Sequence, residues 1–365
     1  PTTPAPTTAA PTTAAPKPTT AAPTTAAPKP TTAPTTAAPT PTAAIKFPAA
    51  GTYKWKFFLP QSGPHWPVEP ELKAFTDEVE KATQGALSIT WYYLGEHPFS
   101  EAEMMQAVKG GYAEMALNET TYAESTEPIL GFMALPGTLP LDHIIAGKIW
   151  EKVAREGHIK TWDKWNMTPL VPYVYPDCNL HTKDFFVTDF NSLKGKKIRV
   201  FSPSSAKAVE ALGGIPVRMA FGEVPTGMMT GTIDGLTTEI TSALPAGFYD
   251  HAKYTTLFPV LRSQNMIATN RDALKKLDEA TRNTLMQVEA KYTAQIRAAL
   301  PGVLAESIET AKTKYGVKFQ TPPQSFVDEG VSRIREKVWT DFIQQTGDDG
   351  RQLIAYLEKV TAETK

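Results

Sequence analysis

Cysteine is nearly missing from this 365-residue chain. Cys178 stands alone, so no intrachain disulfide can form and cysteine usage does not fix a compartment. Beside Tyr175 and Asp177, that thiol reads as a small buried hydrophobe. Charge of either sign is not in excess: 37 Lys and Arg against 38 Asp and Glu give −1. Such a balance carries no electrostatic footprint for nucleic acid or an anionic membrane. Neither a basic stripe with interleaved aromatics nor zinc-knuckle spacing occurs. No apolar run reaches the roughly 18 residues that a membrane-crossing helix needs.

Catalytic signatures are also missing. The chain has no G-x-G-x-x-G, Walker loop, G-x-S-x-G or H-E-x-x-H. Its histidines, at 65, 97, 143, 158, 181 and 251, never share one helix at metal-ligand spacing. Glu101 and Glu103 sit at a helix start, where carboxylates serve the helix dipole from a solvated face. The stretch GEVPTGMMTGTIDG is glycine-rich but holds no lysine for a phosphate. Neither a cofactor nor a metal is expected.

What is present begins with a biased segment. Apart from Lys17 and Lys29, residues 1–44 are only Pro, Thr and Ala, and PTTAAP recurs from Pro6, Pro11, Pro18 and Pro23. This composition has almost no apolar surface to offset the entropy of folding. Dense proline favours extended polyproline II, giving a tether of roughly 130 Å at about 3.1 Å per residue. Threonine beside proline also suits O-glycosylation. A spacer of this length favours an exported protein, and a chain starting at Pro1 fits either removal of a signal peptide or simple trimming.

From Ile45 onward the pattern is globular. TYKWKFFLP reads as a strand, and Leu72, Phe75 and Val79 mark one face of a helix. ALSITWYYLG alternates as a second strand, Ser100 and Glu103 form a capping box, and GYAEMALNE is a third strand. This order indicates an α/β lobe with right-handed crossovers. IIAGKIWEKVAREG is an amphipathic helix. TPLVPYVYPDC is a strand whose Pro172 and Pro176 place it at an edge or at a crossing between lobes. Further on, a short helix near Phe248 precedes a strand over 264–269. Helical spacing then runs from Asp272 to Leu300, where Pro301 should kink or end the helix before Val303–Tyr315 resumes. The segments SFVDEGVSRIREKVWTDFIQQTG and RQLIAYLEKV are helical.

The chain is organised around Asn191–Glu239. Within it, Arg199 lies in a short strand, facing away from Ile198 and Val200. A guanidinium in a buried strand needs an anion, and either a structural carboxylate or a ligand's carboxylate would serve.

Three words in this half stand in a specific order: SLKGKKIRV, LGGIPVRMAFGEVPTGMMTGTIDG and FYDHAKYTTL. With them the chain resembles the substrate-binding proteins of tripartite ATP-independent periplasmic (TRAP) transporters, dicarboxylate-binding type. Upstream, ELKAFTDEVEKATQGALSITWYYLG, GGYAEMALNE and ALPGTLP fit the same family, so the resemblance covers essentially everything after the tether.

The resemblance implies an α/β, two-lobed periplasmic binding protein fold (a Venus flytrap) with a long helix crossing both lobes. Lobe I is expected over 45–174 plus about 264–300, and lobe II over 175–263 plus about 301–365 with the C-terminal helices. Arg199 then corresponds to the family arginine that forks onto a ligand carboxylate. Phe221 corresponds to an aromatic wall, and Thr238 stands where the family often has Asn. Asp177 falls where a second arginine is common, which disfavours a dianionic ligand.

Asn118, Glu119, Tyr175, His65 and Trp66 join the expected pocket by position. Glu119, Asp177 and Glu239 together suit an ammonium or a cation. The expected function is an extracytoplasmic receptor, periplasmic or cell-surface, that hands a small organic acid to a TRAP permease. It is expected to act as a monomer that meets the membrane only through an anchor such as a lipid. Two alternatives share these features: a secreted carbohydrate-active enzyme or binding module on a Pro/Thr linker, and a ligand-sensing receptor domain.

Overall fold

The computed structural model describes residues 45–364 except residues 62, 64–66, 137 and 141. The Pro/Thr/Ala tether, His65 and Trp66 therefore lie outside the described residues.

A first module contains β1 (Tyr53–Phe58), α1 (Glu69–Ala82), β2 (Leu87–Tyr92), α2 (Met104–Lys109), β3 (Met115–Glu119) and the single turn α3 (Thr120–Ala123). Helices α4 (His143–Lys152) and α5 (Ile159–Trp165) lead into the long strand β4 (Met167–Thr182). A second module follows with β5 (Lys197–Val200), α6 (Pro203–Ala211), β6 (Ile215–Arg218), α7 (Val224–Thr230), β7 (Gly235–Glu239) and the single turn α8 (Ile240–Ala243). The chain continues through β8 (Tyr254–Asn270), α9 (Arg271–Lys276), α10 (Glu279–Tyr315), β9 (Lys318–Gln320) and α11 (Gln324–Glu363).

Among the described residues the strands form one sheet in the order β2-β1-β3-β8-β4-β7-β5-β6, with β9 pairing to β8. Pairing within each module is parallel, whereas β3–β8, β8–β4 and β4–β7 are antiparallel. β1 is aromatic on both faces because both are covered. Trp55 and Phe57 pack with Leu72, Phe75 and Val79 of α1, while Phe58 packs with Met104 and Met105.

The two modules match residue by residue. Glu114 accepts the Lys56 backbone N–H at 2.7 Å, and Asp234 accepts that of Lys197 at 2.8 Å. Phe58 lies opposite Ala116, and Arg199 lies opposite Leu236. Strand β3 ends on Glu119 before α3, and β7 ends on Glu239 before α8. The β4–β8 pair thus separates two copies of one arrangement, in which Phe58 and Arg199 occupy the same place.

Strand β4 is central, not an edge: it lies between β8 and β7. Its register against β8 shifts between Leu170 and Tyr173 and again between Val174 and Asp177. Pro172 and Pro176 fall inside those shifts, where a missing N–H costs no ladder bond. At the first shift Val171 adopts φ +46°, a costly conformation for a β-branched residue. The buried carboxylate of Glu289 holds it there, accepting the Val171 N–H at 2.7 Å, Arg155 Nη2 at 2.7 Å and Thr293 Oγ1 at 2.9 Å. That grip ties α10 to the crossing strand.

The long helix differs from the sequence expectation at its start and agrees with it at its end, Tyr315. Asp278 caps a new helix by accepting the Thr281 N–H, which splits α9 from α10. α10 then runs 37 residues with Pro301 inside it. Leu285, Val288 and Ile296 pack in the core shared with α1, whereas Leu304, Ile308 and Ala311 pack against that of α7 and β7. One helix therefore serves both halves of the sheet. α11 is two helical segments joined at Gly347, whose φ is +59°.

Candidate functional site

Arg199 is fully buried on β5, while Ile198 and Val200 point the other way into the core. Its Nε donates to the Met219 carbonyl at 3.0 Å. The guanidinium carbon lies 5.3 Å from the Phe201 ring centre and 5.7 Å from that of Phe221. Cation–π contact with two aromatics offsets part of the cost of burial. Nη2 has no hydrogen-bond partner among the described residues. A buried charged donor left unmet costs at least about 1–3 kcal/mol, so the arrangement is poised for an acceptor.

Three carboxyl groups face this cation. Glu119, at the end of β3, is pushed up to about 8, first by burial and then by the charge of Glu239; hydrogen bonds from Thr121 and Ser263 oppose the shift. Thr121 Oγ1 donates to Glu119 at 2.7 Å. Glu239, at the end of β7, accepts Cys178 Sγ at 2.9 Å and Thr238 Oγ1 at 3.2 Å. Burial pushes the Cys178 thiol well above its ordinary value, with the charge of Glu239 adding to it. Cys178 therefore stays protonated and donates, a role beyond filling space. Glu101 is pushed up to about 7 by burial, against the opposing effects of Arg199 and the Phe221 backbone N–H.

Glu101 corrects the sequence reading of a solvated helix start. Only Glu103 acts there, accepting the Ser100 N–H at 2.9 Å. No one-dimensional signal separates the two, because the difference is which one the fold turns toward Arg199.

The space at Arg199 is about 10 Å3, lined by residues that include Gln61, Glu119, Tyr122, Phe201, Phe221 and Glu239. That is room for about one water. A cavity of about 190 Å3 adjoins it across Gln61 and Phe221, with Leu94, Glu101 and Phe248 among its walls. Larger cavities, of about 520, 550 and 600 Å3, lie elsewhere. The site is thus marked by its chemistry, not its size.

The expected residues divide. Arg199, Phe221, Thr238 and Glu119 share one cavity, with Glu239. Asn118 is buried one residue before Glu119, with Nδ2 lacking a partner, but it does not line that cavity. Tyr175 belongs to the core, edge-on to Tyr173 at 5.3 Å. Asp177 is neither unpaired nor in this site: Arg262 donates to it through Nε at 2.9 Å and Nη2 at 2.8 Å, and it lines the 600 Å3 cavity. Asp177 therefore does not join Glu119 and Glu239 as expected; the further acid that acts on Glu119 is Glu101, in the adjoining cavity. Gln61, Tyr122, Phe201 and Ser242 are further wall residues that the sequence reading did not name.

Residues 61–339 match the bacterial extracellular solute-binding proteins, family 7 (DctP). The chain belongs to that family. This family 7 protein is 24% identical over 305 residues to the ectoine-binding periplasmic protein TeaA of Halomonas elongata, covering 80% of this chain and 87% of that one. Among solved structures, a Bordetella pertussis extracytoplasmic solute receptor binding pyroglutamic acid superposes with a TM-score of 0.76 at 22% identity, covering 84% of this chain and 99% of that one. A TRAP periplasmic solute-binding protein from Desulfovibrio salexigens with bound orotic acid gives 0.78 at 18% identity, covering 86% and 100%. The fold is accordingly the two-lobed α/β fold of TRAP solute-binding proteins. Among the described residues no helix is long and apolar enough to cross a membrane, and no cluster of His, Cys, Asp or Glu is arranged to hold a metal ion.

Proposed function

We propose that this TRAP solute-binding protein captures a small organic acid, pairing its carboxylate with Arg199, and delivers it to a membrane permease. The observation that carries the reading is the fully buried Arg199 guanidinium, sandwiched by Phe201 and Phe221 with Nη2 unmet. A carboxylate there gains charge-assisted hydrogen bonds of about 1.5–3 kcal/mol each. The relatives with pyroglutamic and orotic acid hold ring acids, and the aromatic walls here suit a flat ligand body.

Since the space beside Arg199 is about 10 Å3, the ligand enters an opened form and closure completes its contacts. We place the hinge at the second register shift of β4, between Val174 and Asp177, close to the lobe boundary at 174/175 and 263/264. Lobe I then takes 45–174 and about 264–300, and lobe II takes 175–263 and about 301–365.

Convergent carboxylates such as Glu119 and Glu239 are also what a glycosidase requires. Family membership and the arginine facing them favour binding over turnover. Titration calorimetry with pyroglutamate, orotate and benzoate tests the reading. Binding of at least one acid, unchanged on recovery and lost in Arg199→Lys with folding intact, supports it. Turnover, or equal binding by the variant, overturns it.

A further inference from the structure

We infer that the ligand is a monocarboxylate whose other end donates N–H, a cyclic amine or lactam acid, and that the site rejects a second carboxylate. This deepens the proposed function and rests on Arg199 taking the carboxylate.

The site's charge inventory carries the inference. Arg199 provides one positive charge, and its buried, unmet Nη2 points to one anionic acceptor on the ligand. The other charged groups nearby are all acids, while the Gln61 amide and the Tyr122, Thr238 and Ser242 hydroxyls can donate or accept. Glu119 and Glu239 close the same cavity from the two modules, and Glu101 lines the adjoining one. Their hydrogen-bond partners are neutral: the Thr121 and Ser263 hydroxyls on Glu119, the Phe221 backbone N–H on Glu101, and a thiol and a hydroxyl on Glu239. A carboxyl group keeps lone pairs beyond these contacts whether or not it holds a proton, so acceptor capacity stays open.

A second ligand carboxylate would add negative charge to a cavity in which the charge of Glu239 already resists ionisation of Glu119, with the arginine engaged and in a buried setting where like charges repel strongly. An ammonium or amide N–H meets the same groups as acceptors. Asp177, the acid expected from sequence to serve here, is neutralised by Arg262 in another cavity, so Glu101, Glu119 and Glu239 carry the selectivity.

Four probes of similar size isolate the distal group: L-proline, pyroglutamate, cyclopentanecarboxylate and glutarate, each titrated calorimetrically into the intact chain. At least one nitrogen acid is expected to bind about ten-fold or more tighter than cyclopentanecarboxylate, the equivalent of one charge-assisted hydrogen bond. Glutarate is expected to bind weakest. In the double variant Glu119→Gln, Glu239→Gln the nitrogen preference, read as the ratio of the Kd for cyclopentanecarboxylate to that for the nitrogen acid, should shrink to within about three-fold. The wild-type ranking stands as a test even where that variant folds poorly.

Equal or tighter binding of cyclopentanecarboxylate or glutarate overturns the inference and leaves the carboxylate receptor intact. A nitrogen preference that survives both substitutions overturns the assignment to these acids. Failure of all four probes overturns the inference, and failure of pyroglutamate, orotate and benzoate as well overturns the receptor reading with it.

Discussion

The two modules of the sheet share one plan and use it differently. In the first, the residue opposite Ala116 is Phe58, which stacks on His97 with ring centres 4.4 Å apart. In the second, the residue opposite Leu236 is Arg199, which stacks between Phe201 and Phe221. One module invested this strand position in packing, the other in charge. Both kept a glutamate at the end of the adjoining strand, so Glu119 and Glu239 converge from opposite sides. A duplicated frame thus yields an asymmetric site, with one cation on one side and acids on both.

The largest expected effect is at the arginine. Arg199→Ala should weaken acid binding by about 100-fold or more, since a bidentate charge-assisted contact is lost, as read by calorimetry. Its counterpart Phe58→Leu should leave affinity within about three-fold and cost about 1–2 kcal/mol of stability in denaturant melts. Comparable binding losses from both would break the contrast.

Next in size is the crossing. Glu289→Ala strips the Val171 N–H and Arg155 of a buried acceptor, so unfolding stability should fall by about 3 kcal/mol. Affinity should fall with it only if the crossing also governs closure.

A smaller effect concerns pH. Glu119, pushed up to about 8, and Glu101, pushed up to about 7, bind protons in the folded state that the unfolded chain has already released. Between the ordinary carboxyl range and those values the folded state holds more protons, so stability falls as pH rises. The melting temperature of the ligand-free protein should decline from about pH 5 to 8, and Glu119→Gln should flatten the slope. Thr238→Val should have the least effect, a few-fold weakening at most, because its hydroxyl reaches Glu239 at 3.2 Å and the loss is one neutral hydrogen bond.

How legible this was in the sequence depends on whether a feature is local. The strands, the Ser100–Glu103 capping box and the exceptional character of Arg199 follow from period, cap chemistry and the cost of a buried charge. Of the two outcomes expected at Pro301, an end to the helix does not occur, because a proline costs a long helix one bond and packing of α10 on both sides outweighs it. Asp177 misled because its partner Arg262 is 85 residues away. Glu101 was indistinguishable from Glu103 until the fold turned it toward Arg199. The match between modules was hidden because their equivalent positions differ in residue type, as Phe58 and Arg199 do.

The central claim is that Arg199 holds a ligand carboxylate. Mass spectrometry of small molecules released from purified wild-type protein and from Arg199→Lys tests it most directly, with both melting temperatures recorded. The account predicts a stoichiometric carboxylic acid on the wild type and none on a variant whose stability is within about 1–2 kcal/mol of it, because lysine keeps the charge but loses the fork. The same acid on both proteins, or a variant that fails to fold, would contradict it.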